Sequence, residues 1–90
     1  MILPFKETKI GCNIFIREFS QYTESDEMIW HTDKEDRIIE NIGETDWLIQ
    51  FDNQLPKKID GRISIPMGVY HRLIKGTGDL KIKLIKKPLN

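Results

Sequence analysis

The chain has a single cysteine among its 90 residues. It can form no internal disulfide, so a small secreted scaffold held by disulfides is excluded. Cys12 follows Gly11 without any activating sequence and reads as a small, partly buried thiol. An excess of charge is also missing, since 14 Lys and Arg face 14 Asp and Glu. Nucleic-acid binders ordinarily carry a basic excess or stripe, so no nucleic-acid partner is expected. The one basic concentration, Lys81, Lys83, Lys86 and Lys87, reads as a solvated strand face. No apolar run approaches the roughly 20 residues needed to span a bilayer, so no membrane partner is expected. The opening Met1-Ile2-Leu3-Pro4-Phe5-Lys6 lacks the pattern of a signal peptide, which predicts a cytoplasmic location. Nor does any stretch keep a helical period of apolar residues over three turns.

What the chain does have is alternation. Segments 13–19, 27–33, 37–42, 47–52, 62–65, 70–75 and 80–85 are rich in β-formers and read as strands. The segment 22–26 reads as a loop, and Gly43 to Asp46, Asp60-Gly61 and Gly76 to Asp79 as turns. Seven or eight short strands at this spacing, in a chain the size of one domain, predict a sandwich or barrel. Period two in 27–33 puts Ile29, His31 and Asp33 on one face, with Met28, Trp30 and Thr32 on the other. In 47–52 it puts Trp47, Ile49 and Phe51 on one face, opposite Leu48 and Gln50; Trp30, Trp47 and Phe51 read as core or interface residues.

Two constellations can carry chemistry. The first is Trp30-His31-Thr32-Asp33-Lys34-Glu35-Asp36-Arg37. The second runs from Asp60 to His71 through Ile65-Pro66-Met67-Gly68-Val69-Tyr70. Proline ends the strand before it, because it cannot donate to the ladder. Gly68 supplies the positive φ of the following turn, which then aims His71. His31 and Asp33 on one strand face, joined by His71 from another, would make a set of two imidazoles and one carboxylate. Such a set holds a divalent transition metal and leaves positions open for water or substrate. Glu35 or Asp36 could take the place of Asp33 if the strand ends early. Arg37 and Gln50, with Glu35, are expected to line the pocket, and Arg72 to be exposed or paired with an acid.

Pro66-x-Gly68-x-x-His71 resembles the second motif of the cupin superfamily. That motif normally has a glycine six residues before the proline. Here Asp60 holds that position and the glycine is Gly61. The first cupin motif places a histidine pair before a glutamate and then a glycine. Here His31 and Asp33 match the pair, Arg37 falls where the glutamate belongs, and Gly43 lies one residue short. The chain also resembles a group of small cupin-like proteins found in phage and environmental sequences. It does so through Trp30-His31-x-Asp33-x-Glu35-Asp36-Arg37, Asp52-Asn53-x-Leu55-Pro56, Ile65-Pro66 to Tyr70-His71-Arg72, and Lys75-Gly76. The resemblance spans residues 14–85. It implies a single all-β domain over 1–90: a small cupin-type β-barrel, or jelly roll (a double-stranded β-helix), with residues 1–13 as an N-terminal arm or edge strand.

The function implied is a cupin-like, small-molecule-binding protein with a divalent-metal site at His31, Asp33 and His71, the metal being Fe, Mn, Zn or Ni. Arg37 stands against this, because a cation beside a metal ion is repelled. Either it pairs with Asp33 or Glu35, or the site holds no metal. The alternatives are therefore a metal-free module binding a small anion or sugar, and a purely structural or interaction protein. In each case a homodimer is expected, since so small a sheet leaves apolar outer surface.

Overall fold

The computed structural model describes residues 5–88. Its strands are β1 (Lys6–Gly11), β2 (Ile14–Phe19), β3 (Asp36–Asn41), β4 (Leu48–Phe51), β5 (Lys57–Lys58), β6 (Arg62–Ile65), β7 (His71–Ile74) and β8 (Leu80–Lys87), with a one-turn 3-10 helix at Asp26–Met28. The chain is all-β in two sheets, one in the order β1-β2-β8-β3-β6 and one in the order β5-β4-β7. Neighbouring strands are antiparallel throughout. The segment before β2, expected as an arm or edge strand, contributes β1 at the edge of the larger sheet.

Alternation decides what lies between the sheets. In β8, Leu80, Ile82 and Leu84 are buried while Lys81 is exposed. In β6, Ile63 and Ile65 are buried and Arg62 and Ser64 exposed. From the smaller sheet come Ile49, Phe51 and Leu73, joined by Trp47 just before β4. These residues form one core cluster with Phe19, Ile39 and Ile59. The expected placing of Trp47, Ile49 and Phe51 on one face holds, and that face is buried, whereas Trp30 is exposed and not part of the core.

The same register turns two arginines inward. Arg17 pairs with Ile82 across β2 and β8, and Arg37 with Ile65 across β3 and β6. Both partners are core residues, so both guanidiniums enter the space between the sheets near one end of the core. An unpaired charge there is costly, so carboxylates must follow.

The structure departs from the sequence reading at three places. Segment 27–33 is not a continuous strand. Ser25 caps a helical turn, its hydroxyl accepting from Glu27 N–H at 3.0 Å, and backbone bonds Met28 N–H to Ser25 O and Ile29 N–H to Asp26 O close it. A serine followed by two acids is a good helix start, and here it overrides the β-formers downstream. Ile29 is therefore 62% exposed instead of sharing a buried face with Asp33. Cys12, expected partly buried, is exposed in the β1–β2 turn. The two-residue strand β5 was not foreseen.

Around Trp47 the core is pinned by the loop between β7 and β8. Trp47 is fully buried, and its indole N–H donates to Gly78 O at 2.6 Å. Asp46 accepts from Thr77 N–H at 3.0 Å and from the Thr77 hydroxyl. This closeness leaves no room at Gly76, where a Cβ would fall 2.1 Å from Asp46 Oδ1 and 2.9 Å from its backbone carbon. Gly78 has open space. Gly76→Ala should cost about 1–3 kcal/mol as an overpacked site, and Gly78→Ala less than about 0.5 kcal/mol. Urea denaturation of the two variants checks this, and equal midpoints would contradict it.

Candidate metal centre

The two histidines are brought together by backbone. His31 N–H donates to His71 O at 3.1 Å, and His71 N–H to His31 O at 3.0 Å. This isolated antiparallel bridge adds one residue pair to the outer edge of β7. A second tie lies beside it. Gly68 has φ +78° and donates its N–H to Asp33 O at 3.1 Å, while Met67 N–H donates to Asp36 Oδ1 at 2.7 Å. The Pro66–Gly68 turn thus fixes the backbone of Asp33 before the chain reaches His71.

Both imidazoles are then oriented in the same way. His31 Nδ1 lies 2.7 Å from Ile29 O, and His71 Nδ1 lies 2.8 Å from Val69 O. A carbonyl can only accept, so each Nδ1 carries a proton. In a neutral ring, each Nε2 then bears the lone pair, the arrangement found in metal-ligating histidines. The ring centroids are 4.3 Å apart.

The Nε2 atoms face carboxylates. His71 Nε2 is 3.2 Å from Asp33 Oδ2. His31 Nε2 is 3.9 Å from Asp33 Oδ1 and 3.0 Å from Glu27 Oε2. Yet His31 Nε2 and Asp33 Oδ2 are buried without an aligned hydrogen-bond partner. Lone pairs set against carboxylate oxygens repel one another unless a proton or a cation lies between them. The candidate ligand atoms of His31, Asp33 and His71 all lie within 4.8 Å of one another. Two ligands about 2.1 Å from one ion can be at most about 4.2 Å apart, so the set needs to close by about half an ångström.

Arginines complete the cluster. Arg37 Nη1 is 3.4 Å from Asp33 Oδ1, and its Nε donates to Glu35 Oε2 at 3.1 Å. Buried Arg17 lies over the Phe5 ring, pairs with Glu7 and reaches Glu27 Oε1 at 3.4 Å. The free space enclosed by Arg17, Glu27, Asp33, Arg37, His71 and the core beneath is ≈ 20 Å³, room for about one water.

The sequence expectations therefore divide. His31, Asp33, His71 and Arg37 meet. Arg37 pairs with both Asp33 and Glu35, the two partners expected of it, and Glu35 reaches the site only through Arg37. Gln50 is on the outer side of β4, where its amide accepts from Arg72 Nε and Nη2 at 3.1 and 2.9 Å; it does not line this cavity. Arg72 thus pairs with an amide instead of an acid, and also lies over the Trp30 ring. Sequence reasoning missed Glu27 and Arg17. The Ser25 cap could have shown that Glu27 turns with a helix. An arginine alternating with Phe15 and Phe19 in β2 could have marked an inward charge.

Electrostatics follow from these contacts. Contact with the Glu27 carboxylate raises the His31 imidazole above its ordinary 6.5, against the opposing effect of burial. Burial alone would raise Glu27, but His31, Arg17 and Arg37 outweigh it and hold the carboxyl below its ordinary 4.5. Asp33 is likewise held below 3.8, burial being outweighed by His71, Arg37 and His31.

No family model matches the chain, and no curated protein matches it. Among solved structures, the crystal structure of protein NMB1881 from Neisseria meningitidis is similar, with a TM-score of 0.58 at 15% sequence identity over 91% of this chain and 80% of that one. At that identity the likeness bears on the fold alone.

The shifts set the pH dependence of the metal-free protein. His31 has a raised folded value, so its stabilisation is complete below 6.5 and is lost as pH rises through that value. Glu27 and Asp33 have lowered folded values, so theirs is complete above 4.5 and 3.8 and is lost as pH falls through them. The melting temperature in the presence of a chelator should therefore peak between about pH 5 and 6. A melting temperature at pH 8 equal to that at pH 5.5 would refute this.

Proposed function

We propose that the chain is a small cupin-like metal-binding protein whose His31, Asp33 and His71 hold one divalent transition metal such as Fe, Mn, Zn or Ni. The observation that carries this is the convergence of two Nε2 atoms, their tautomers set by backbone carbonyls, on a carboxylate that is 8% exposed and imperfectly hydrogen-bonded. The donor set of two imidazoles and one carboxylate suits these metals. The charge balance suits them too. With neutral imidazoles, Glu7, Glu27, Asp33 and Glu35 outweigh Arg17 and Arg37 by two negative charges, which a divalent ion offsets. Two packed antiparallel sheets are compatible with the jelly-roll reading, in which the cupin motifs carry these residues.

A metal held here would supply Lewis acidity to a bound water. The enclosed space has room for about one water, so a larger small-molecule ligand would approach from outside it. No helix among the described residues is long and apolar enough to cross a membrane; the cytoplasmic assignment stays with this proposal. So does the homodimer, which would cover some of the exposed Ile29, Trp30, Leu55 and Tyr70.

One observation favours a metal-free module instead. Arg37 already lies 3.4 Å from Asp33 Oδ1 and can satisfy that oxygen without an ion. The two readings separate by titration. Purified protein without a histidine tag should bind one equivalent of Zn²⁺ or Co²⁺ and melt at higher temperature in its presence. This gain should increase from pH 5.5 to 7.5, because Nε2 must shed its proton to coordinate. His71→Ala should abolish it. Absence of stoichiometric binding by the wild type would favour the metal-free reading.

Arg37 itself gives a further check. Removing its charge from beside the ion should tighten binding, so Arg37→Gln should lower the Kd for Zn²⁺ several-fold in calorimetry. A weaker-binding variant would mean that Arg37 orders Asp33 more than it repels the metal.

A further inference from the structure

We propose that Glu27 completes the protein shell of this ion as a fourth ligand, the one-turn helix supplying the carboxylate that β3 lacks. The inference rests on the metal-site reading and goes beyond the three residues in it. In β3, the residue available to the site is Arg37, whose guanidinium points at Asp33. On the other side of His31, the capped turn Asp26–Met28 carries Glu27 to the same cavity. Its Oε2 stands 3.0 Å from His31 Nε2, the spacing of two adjacent octahedral ligands about 2.1 Å from one ion and a little less than the roughly 3.4 Å of a tetrahedral pair.

Three further observations single out this carboxylate. Glu27 Oε2 approaches the same Nε2 that lacks an aligned hydrogen-bond partner, so the contact is close without being satisfied. Its other oxygen, Oε1, is held by Arg17, and Arg17 is itself fixed by Glu7 and the Phe5 ring. One oxygen is therefore anchored and the other is free to coordinate, as for a monodentate carboxylate with a hydrogen-bonded outer oxygen. The remaining acids nearby are engaged elsewhere. Glu35 accepts from Arg37 Nε, and Asp36 from Met67 N–H. In the structure Glu27 lies outside the tightest cluster of candidate ligands, so closing the shell requires its side chain to move toward Asp33 and His71. The short helix rests against β7, the strand that bears His71, so this movement is a local one.

The test is a Co²⁺ titration read by visible absorption, with wild type, His71→Ala and Glu27→Gln. Wild type should bind one equivalent, and His71→Ala none. Glu27→Gln should still bind, at least about ten-fold more weakly, with a changed d–d spectrum because a carboxylate has left the ion. A wild type that binds no Co²⁺ overturns the metal site and this inference with it. Equal or tighter binding by Glu27→Gln with an unchanged spectrum overturns the fourth ligand alone and leaves the three-residue site standing. If Glu27→Gln does not fold, X-ray absorption of the Zn²⁺-loaded wild type decides. Two imidazoles with at least two carboxylate oxygens, perturbed in Glu27→Asp, support the proposal; a first shell indifferent to Glu27→Asp refutes it.

Discussion

Everything at the candidate centre depends on the pair of backbone hydrogen bonds between His31 and His71. Each bond of this kind is worth only about 1 kcal/mol net. Together they turn an irregular loop into an extension of β7. The same pairing fixes the carbonyls of Ile29 and Val69 two residues upstream of each ring, and those carbonyls select the ring tautomers. Orientation of the side chains is thus inherited from strand geometry, and Asp33 is held by the adjoining contact with Gly68.

A second constraint is the cost of charge between two apolar sheets. Arg17 and Arg37 are turned inward by strict alternation in β2 and β3. Neither can leave without shifting register and exposing Phe19 or Ile39. Each is flanked by carboxylates, and two of these, Glu27 and Asp33, in turn meet imidazoles. The result is an alternating chain from Glu7 through Arg17, Glu27 and His31 to Asp33, which meets both His71 and Arg37. Such a network is tolerable only when nearly every member is paired. The imperfectly satisfied atoms sit in the middle of it, at His31 Nε2 and Asp33 Oδ2, and a space large enough for about one water is lined by Asp33 and His71.

Much of this was legible in the sequence, and for a plain reason. Leu80-Lys81-Ile82-Lys83-Leu84 and Trp47-Leu48-Ile49-Gln50-Phe51 alternate cleanly, so their buried faces follow from period two. The Pro66, Gly68 and His71 spacing also translates directly into a turn followed by an aimed imidazole. What was not legible depends on competition or on distance. In 25–33, a serine cap competes with β-branched and aromatic residues, and the cap wins locally. That choice moved Ile29 to the surface and brought Glu27 into the site. The pairing of Gln50 with Arg72 is a cross-strand contact between β4 and β7, and no local pattern reveals which strands become neighbours. The two-residue β5 is too short to leave a pattern at all.

The bridge between the histidines has one more consequence. It is made by main-chain atoms, so it does not require imidazole side chains. Residues 31 and 71 can be exchanged for others without cutting the tie between the loop and β7, provided that proline is avoided. Scaffold and chemistry are therefore written in separate parts of the same residues. A lineage carrying this fold could lose, regain or alter its donor set one side chain at a time, while the frame that presents those side chains persists.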